Sequence, residues 1–332
     1  MQPIVLEPNM PETFYRGAGR IRRFRGAGAD ASGRPEDWMA STTSRFGHGT
    51  DGMTRLGDGS LLADAIASDP VAWLGPEHVA SHGADPALLV KLLDAGQRLP
   101  VHVHPDRGFA AGHLASRYGK TEAWIVLEAA PGAAVHLGFR RDVGSDELAG
   151  WVRGQDVQSL LDTTNRVPVA AGDSILCPAG TPHAIDDGVL VAELQEPTDL
   201  SILLEWRDFP VGPEDATLGL ALDEALGCVD RRALSAERLD ELRGRRLDHA
   251  AGSLLPAAAD PFFVAERVDS QVNPGLPAAY GLLIVTGGTG VLSTEAGTQA
   301  QVRRGSTVLI PHSAGTCTLS GDLQAIRCLP PA

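Results

Sequence analysis

The spacing of apolar residues along the chain changes character several times. Between residues 99 and 206 it is short and strand-like. LPVHVH alternates, EAWIVLEA is a compact apolar run, and AAVHLGF follows the turn at Pro131-Gly132. VPVAAGDSILCPAGTPHAI holds two runs around an Ala-Gly-Asp turn, and VLVAELQE closes the block. Runs of four to eight apolar residues bounded by Gly, Pro and Asp predict strands. Residues 262–332 read the same way: FFVAERV, YGLLIVTGGTGVLST, QAQVRRGSTVLIP and CTLSGDLQAIRCL, with GGTG as a hairpin turn. Helical spacing appears in SLLADAIASDPVAWLG and DPALLVKLLDAGQ, where Asp85-Pro86 marks a helix start. It returns within 212–250, in ATLGLALDEAL and ALSAERLDELRGRR. Residues 12–56 suggest strands near Phe14–Tyr15 and Trp38–Thr42 around a flexible stretch, Arg25–Arg34, and residues 251–261 read as a linker.

One similarity within the chain organises this pattern. RRGSTVLIPHSAG echoes AAGDSILCPAGTPHA: a Gly-polar turn, a four-residue apolar strand, a proline and a small-residue loop. Two small antiparallel barrels, each closing its own sheet edges, account for such a repeat. The expected fold is mainly β, with two jelly-roll-like barrels and helical insertions. Residues 1–210 form the first domain, with a helical insertion near 60–97. Residues 211–256 are a helical segment and linker, and 257–332 form the second domain.

Charge narrows the partners. The 332 residues carry 28 Lys and Arg against 42 Asp and Glu, a formal charge of −14. Such a surface repels phosphate backbones and anionic lipid, so neither nucleic acid nor a membrane is expected as a partner. No stretch reaches 18 apolar residues, and the N-terminal MQPIVLEPNMPETFYRG lacks the basic and apolar regions of a signal peptide. Four scattered cysteines without a CxxC pair fit a reduced, cytoplasmic protein.

The chemistry lies in four side chains. His102 and His104 stand two apart in a strand, so both imidazoles face one side. Glu122 opens the next strongly apolar strand, where a buried carboxylate needs a cationic partner. His183 follows the Pro-Ala-Gly-Thr-Pro turn. Each alone is ordinary: a core histidine, a solvated strand end, a loop histidine. Together they offer three neutral nitrogens and one carboxylate, a set that suits zinc, iron, manganese or nickel and leaves positions open for a ligand. One divalent metal is expected, with zinc the first choice. The order His-x-His, Glu, His on successive strands is the cupin arrangement. The C-terminal repeat keeps only His312, so its barrel is expected to be metal-free.

Longer stretches carry a resemblance. LLVKLLDAGQRLPVHVHPD, GKTEAWIVLEA, PAGTPHAIDDGVLVAELQEPTD and GSTVLIPHSAG…GDLQAIRCL resemble, in order, segments of the class I mannose-6-phosphate isomerases, over most of residues 85–332. The resemblance implies a metal-dependent aldose–ketose isomerase that interconverts mannose 6-phosphate and fructose 6-phosphate or a related sugar. Carried over by motif, His104, Glu122 and His183 are metal ligands, and His102 stands where the family usually has Gln. Lys120 matches a lysine assigned to proton transfer or substrate binding, and Asp199 matches an acidic catalytic residue. Asp106, Glu193 and Gln195 are assigned to substrate binding. The chain departs from the family after Asp199: Leu203 stands where a catalytic arginine is expected, and Arg207 lies too far along. An arginine from another strand, such as Arg140 or Arg141, could substitute in space. Two other readings keep the scaffold: a metal-cupin isomerase, epimerase or lyase of a non-phosphorylated sugar, and a non-catalytic sugar-binding protein. All three take a small sugar or sugar phosphate, as a monomer or homodimer.

Overall fold

The computed structural model describes residues 1–26, 34–248 and 252–331. Most of the Arg25–Arg34 stretch, expected to be flexible, lies outside the described residues. The fold is mainly β. Among the described residues, three antiparallel sheets form, and no helix is long and apolar enough to cross a membrane.

Two five-stranded sheets make up the first half. One has the order Glu36–Met39, Leu89–Ala95, Val189–Gln195, Glu122–Ala129, Ser174–Cys177. The other has the order Ile202–Leu203, His102–Val103, His183–Ile185, Ala134–Phe139, Thr164–Pro168. Sequence-distant strands are neighbours in both. In the first sheet Trp38, Lys91, Glu193, Trp124 and Ile175 pair in one row across five strands. Two residues along, Leu89, Gln195, Glu122 and Cys177 form the next row. Side chains two apart share a face, so a row of charged groups is set on the same side as Trp38 and Trp124. In the second sheet His102 pairs directly with His183.

The strand Leu89–Ala95 corrects one expectation. DPALLVKLLDAGQ was expected to be helical from Asp85-Pro86, yet all seven residues of LVKLLDA form a buried central strand. A continuous apolar run fits both periods, and only burial on both faces separates them. The two charges within it serve opposite faces. Lys91 faces the row just described, and Asp94 accepts Arg20 and two backbone N–H groups on the other. The helical insertion is therefore confined to Leu62–Ser68, Pro70–Leu74 and Pro76–His82. Phe14–Tyr15 is not a strand, and the strand near Trp38 spans Glu36–Met39. Helical segments in 212–250 are short: Pro213–Ala216, Leu222–Ala225 and Ala236–Glu241.

The third sheet holds eight strands, centred on Gly281–Thr294 and Cys317–Leu329. GGTG is not a hairpin turn there. It runs inside one 14-residue strand, where the register against Cys317–Leu329 shifts between Val285 and Gly287. Gly288 has φ of +74°, and a Cβ on it would lie 1.6 Å from the Asp322 carbonyl oxygen. The glycines thus permit a bulge and close backbone approach. The sheet also takes in Ile4–Val5, which pairs with Thr307–Ile310. The N-terminus therefore crosses the division expected at residue 210.

Candidate metal centre and active-site recess

The two five-stranded sheets face each other across a recess with about 710 Å³ of empty space, counting its open mouth. Glu122 comes from one sheet; His102 and His183 come from the other, with His104 just beyond the His102–Val103 strand. That strand is short and is braced by Glu205. Its carboxylate accepts the Val101 N–H at 2.9 Å and takes both guanidinium nitrogens of Arg98, at 2.5 and 2.7 Å.

The four expected ligands converge. The imidazole centroids lie 4.9 Å apart for His102 and His104, 4.0 Å for His102 and His183, and 4.8 Å for His104 and His183. Glu122 Oε2 is 3.0 Å from His104 Nε2, and Glu122 Oε1 is 3.1 Å from His183 Nε2. Each histidine has its Nδ1 at 2.8 Å from a backbone carbonyl: Pro100 for His102, Leu200 for His104 and Thr181 for His183. Carbonyls only accept, so each Nδ1 carries the hydrogen and each Nε2 presents a lone pair. Lone pairs of Nε2 then face carboxylate oxygens at about 3 Å, and Glu122 Oε2 and His183 Nε2 have no hydrogen-bond partner. Buried acceptors opposed in this way need a cation; the Lys120 ammonium reaches only His104 and Glu122, and His183 Nε2 stays without a donor. The residues therefore fit a divalent metal.

Charge states agree. Burial first, then the neighbouring His183 and His104, hold His102 well below the usual imidazole value. Burial and the Lys120 ammonium bring His104 down to about 3. Both are neutral, the ligating form. Burial alone would raise Glu122, but Lys120 and His104 outweigh it and keep the group ionised, well below the usual carboxylate range. Lys120 Nζ is 2.8 Å from His104 Nε2 and 3.1 Å from Glu122 Oε2, placing it beside the cluster. Cys177, which sequence reasoning did not single out, also lies near Glu122 and His183. Burial pushes its thiol well up, which keeps it protonated and a weak ligand.

The other expected site residues divide. Glu193 and Asp199 line the recess. Burial, reinforced by Glu122, pushes Glu193 up to about 7, and its Oε1 has no hydrogen-bond partner. Burial also raises Asp199, whose Oδ2 accepts the Phe46 N–H at 3.0 Å. Gln195 does not line the recess; its amide donates to the carbonyls of Glu196 and Thr198 and holds the following loop. Asp106 is exposed and caps the helix Arg107–His113 by accepting the Phe109 N–H at 2.7 Å.

Leu203 lines the recess. Neither Arg140 nor Arg141 replaces the absent guanidinium there. Both are outside the recess, and Arg141 is paired with Glu147 on the surface. Arg207 donates instead to the Gly154 carbonyl.

Sequence reasoning missed a second charged cluster. Lys91 Nζ lies 3.4 Å from Glu36 Oε2, 3.8 Å from Glu193 Oε1 and 4.4 Å from the centre of the Trp38 ring. Tyr15 Oη donates to Glu36 Oε1, and Trp38 Nε1 donates to Oε2 at 2.5 Å. Burial would lower Lys91, but Glu36 and Glu193 reverse this and raise it. Likewise burial would raise Glu36, and Lys91 with the two donors lowers it. A lysine inside an otherwise apolar run was the available signal, since a buried charge needs partners.

Comparison with known proteins places this geometry. No family model matches the chain. A mannose-6-phosphate isomerase from Streptococcus mutans is 27% identical over 340 residues, covering 98% of this chain and 97% of its own. Mannose-6-phosphate isomerase ManA of Bacillus subtilis is 36% identical over 117 residues, 35% of this chain and 36% of its own. The crystal structure of a mannose 6-phosphate isomerase from Bacillus subtilis superposes with a TM-score of 0.75 at 20% identity, covering 99% of both chains. The chain is thus similar along almost its entire length to a curated mannose-6-phosphate isomerase, and it shares the cupin fold of a solved one.

Proposed function

We propose that this protein is an aldose–ketose isomerase that interconverts mannose 6-phosphate and fructose 6-phosphate with one divalent metal, zinc in the first instance. The observation that carries the reading is the convergence of three imidazoles, each with its Nδ1 tied to a carbonyl, on the Glu122 carboxylate in the recess, with His183 Nε2 left without a donor. His102, His104, Glu122 and His183 would hold the metal, which supplies Lewis-acid polarisation of the sugar oxygens at C1 and C2.

The remaining work falls to the chain's own groups. Aldose–ketose exchange moves one proton between adjacent carbons and one between their oxygens, so it needs groups that hold and release protons. Lys120 Nζ, beside the ligand set, is assigned the carbon-bound proton. Glu193, whose carboxyl titrates near neutrality, is assigned the oxygen-bound one. Asp199 is assigned to a sugar hydroxyl and to the loop it anchors through Phe46. Trp38 and the Lys91–Glu36 pair wall the recess and limit water on that side.

A coupled assay on mannose 6-phosphate and fructose 6-phosphate, run with metal analysis of the same sample, tests the proposal. One tightly held divalent ion per chain and turnover abolished by chelation are expected. The presence of Leu203 on the recess wall favours a second reading, an isomerase or epimerase of a free sugar. Turnover of free hexoses with none of the phosphates would replace the first reading by the second.

A further inference from the structure

The recess opens outward into a second depression, and the two share Phe14, Arg45, Asp199, Ser201 and Leu203 as common wall. Arg45 therefore stands between the interior, with the metal cluster, and the surface. Its segment is held in place: the Arg45 N–H donates to the Asp51 carbonyl at 2.8 Å, and the Phe46 N–H reaches Asp199. The Arg45 guanidinium lies 2.8 Å from Asp51 Oδ2.

Charge on the wall decides what that position means. Among the described residues, three cationic side chains line the recess, Arg45, Lys91 and Lys120, against the carboxylates Glu36, Glu122, Glu193 and Asp199. Lys91 is 2% exposed, under Trp38 and between Glu36 and Glu193. Lys120 is engaged with His104 and Glu122. Neither offers an ammonium to a new anion without leaving a buried carboxylate unpaired. Arg45 differs, because its partner Asp51 is 43% exposed and regains water on release. The outer depression also carries His48, Glu214 and Asp215, so its charge is mixed rather than broadly basic.

We propose that Arg45 binds the phosphate of the substrate, exchanging the Asp51 carboxylate for phosphate oxygens. A planar guanidinium presents two parallel donors to such an anion. In a hexose 6-phosphate the reacting carbons and the phosphate sit at opposite ends, and here the candidate ligand side chains line the inner recess while the guanidinium stands on the wall shared with the outer depression. The assignment rests on the sugar-phosphate isomerase reading and names the residue that makes the site prefer a phosphorylated sugar.

The test uses the full metal-loaded chain, with mannose 6-phosphate as substrate and inorganic phosphate as competitor. Arg45→Met is expected to raise the KM for mannose 6-phosphate and the inhibition constant for phosphate by about tenfold or more, with metal content unchanged. Arg45→Lys keeps the charge but loses the fork, so both constants rise about threefold, and this variant carries the question should Arg45→Met not fold. Wild-type turnover with both constants unchanged in the variants overturns the role of Arg45 and leaves the isomerase reading standing. A wild type that binds phosphate through Arg45 but turns over no sugar phosphate sinks the isomerase reading and keeps the anion site.

Discussion

The interior between the two five-stranded sheets and the interior of the C-terminal sheet are built from similar strand patterns and filled in opposite ways. GDSILCPAGTPHAI and GSTVLIPHSAG each give a four-residue buried strand, Ser174–Cys177 and Thr307–Ile310, ending at a proline. After Pro178 the chain turns back so that His183 pairs with His102 inside the recess. After Pro311 it makes a short 3₁₀ turn, and His312 packs against Gly75 in the helical insertion. The first interior holds Glu36, Lys91, His102, His104, Lys120, Glu122, His183 and Glu193, all buried. The second is filled by Val268, Leu283, Val285, Leu292, Val302, Val308, Leu319 and Leu323. One scaffold thus serves chemistry where polar groups are mutually satisfied and stability where apolar surface is buried, at about 25 cal/mol per Å².

Six substitutions separate the two interiors. The largest effect belongs to the ligands: Glu122→Gln or His104→Ala removes the bound metal and lowers turnover by about 10³-fold or more, roughly 4 kcal/mol. Metal content after desalting, read with the coupled assay, checks it, and a retained stoichiometric ion removes that residue from the set. Next, Lys120→Ala is expected to reduce kcat by about 10²- to 10⁴-fold while the metal stays. Near-normal kcat there takes Lys120 out of proton transfer. Lys91→Met strands Glu36 and Glu193 as buried carboxylates and lowers unfolding free energy by about 3–5 kcal/mol in denaturant titrations. Leu283→Ala in the second interior costs about 3 kcal/mol through its cavity and leaves one metal per chain. A metal loss in Leu283→Ala as large as in a ligand variant would show that the two interiors are not separable. The smallest effect is at the seam between them: Arg304→Ala breaks a half-exposed pair with Glu128 and shifts stability by about 0.5 kcal/mol or less.

How far the sequence was legible follows the kind of information each feature carries. The convergence of His102 and His104 could be read because a strand places i and i+2 on one face, and His-x-His states that directly. Lys91 was misplaced because its apolar neighbours fit a helix as well as a buried strand. Its partners Glu36 and Glu193 come from strands more than 50 and 100 residues away in the chain. GGTG was read as a turn because glycines signal turns, whereas here they relieve a clash with Asp322 within a long strand. Gln195 and Asp106 look alike as polar candidates in sequence, yet one supports a loop and the other caps a helix.

The residue order alone determined that strands dominate, that four side chains of ligating type are present in the first half, and that the C-terminal repeat lacks that set, because these depend on local period and residue identity. Tertiary structure decided which tautomer each histidine adopts, which charges neutralise one another, and that Arg45, not Arg140 or Arg141, reaches the recess. Those outcomes depend on distances between segments far apart in the chain and on burial, which sets the strength of every charge, and neither is written in local spacing.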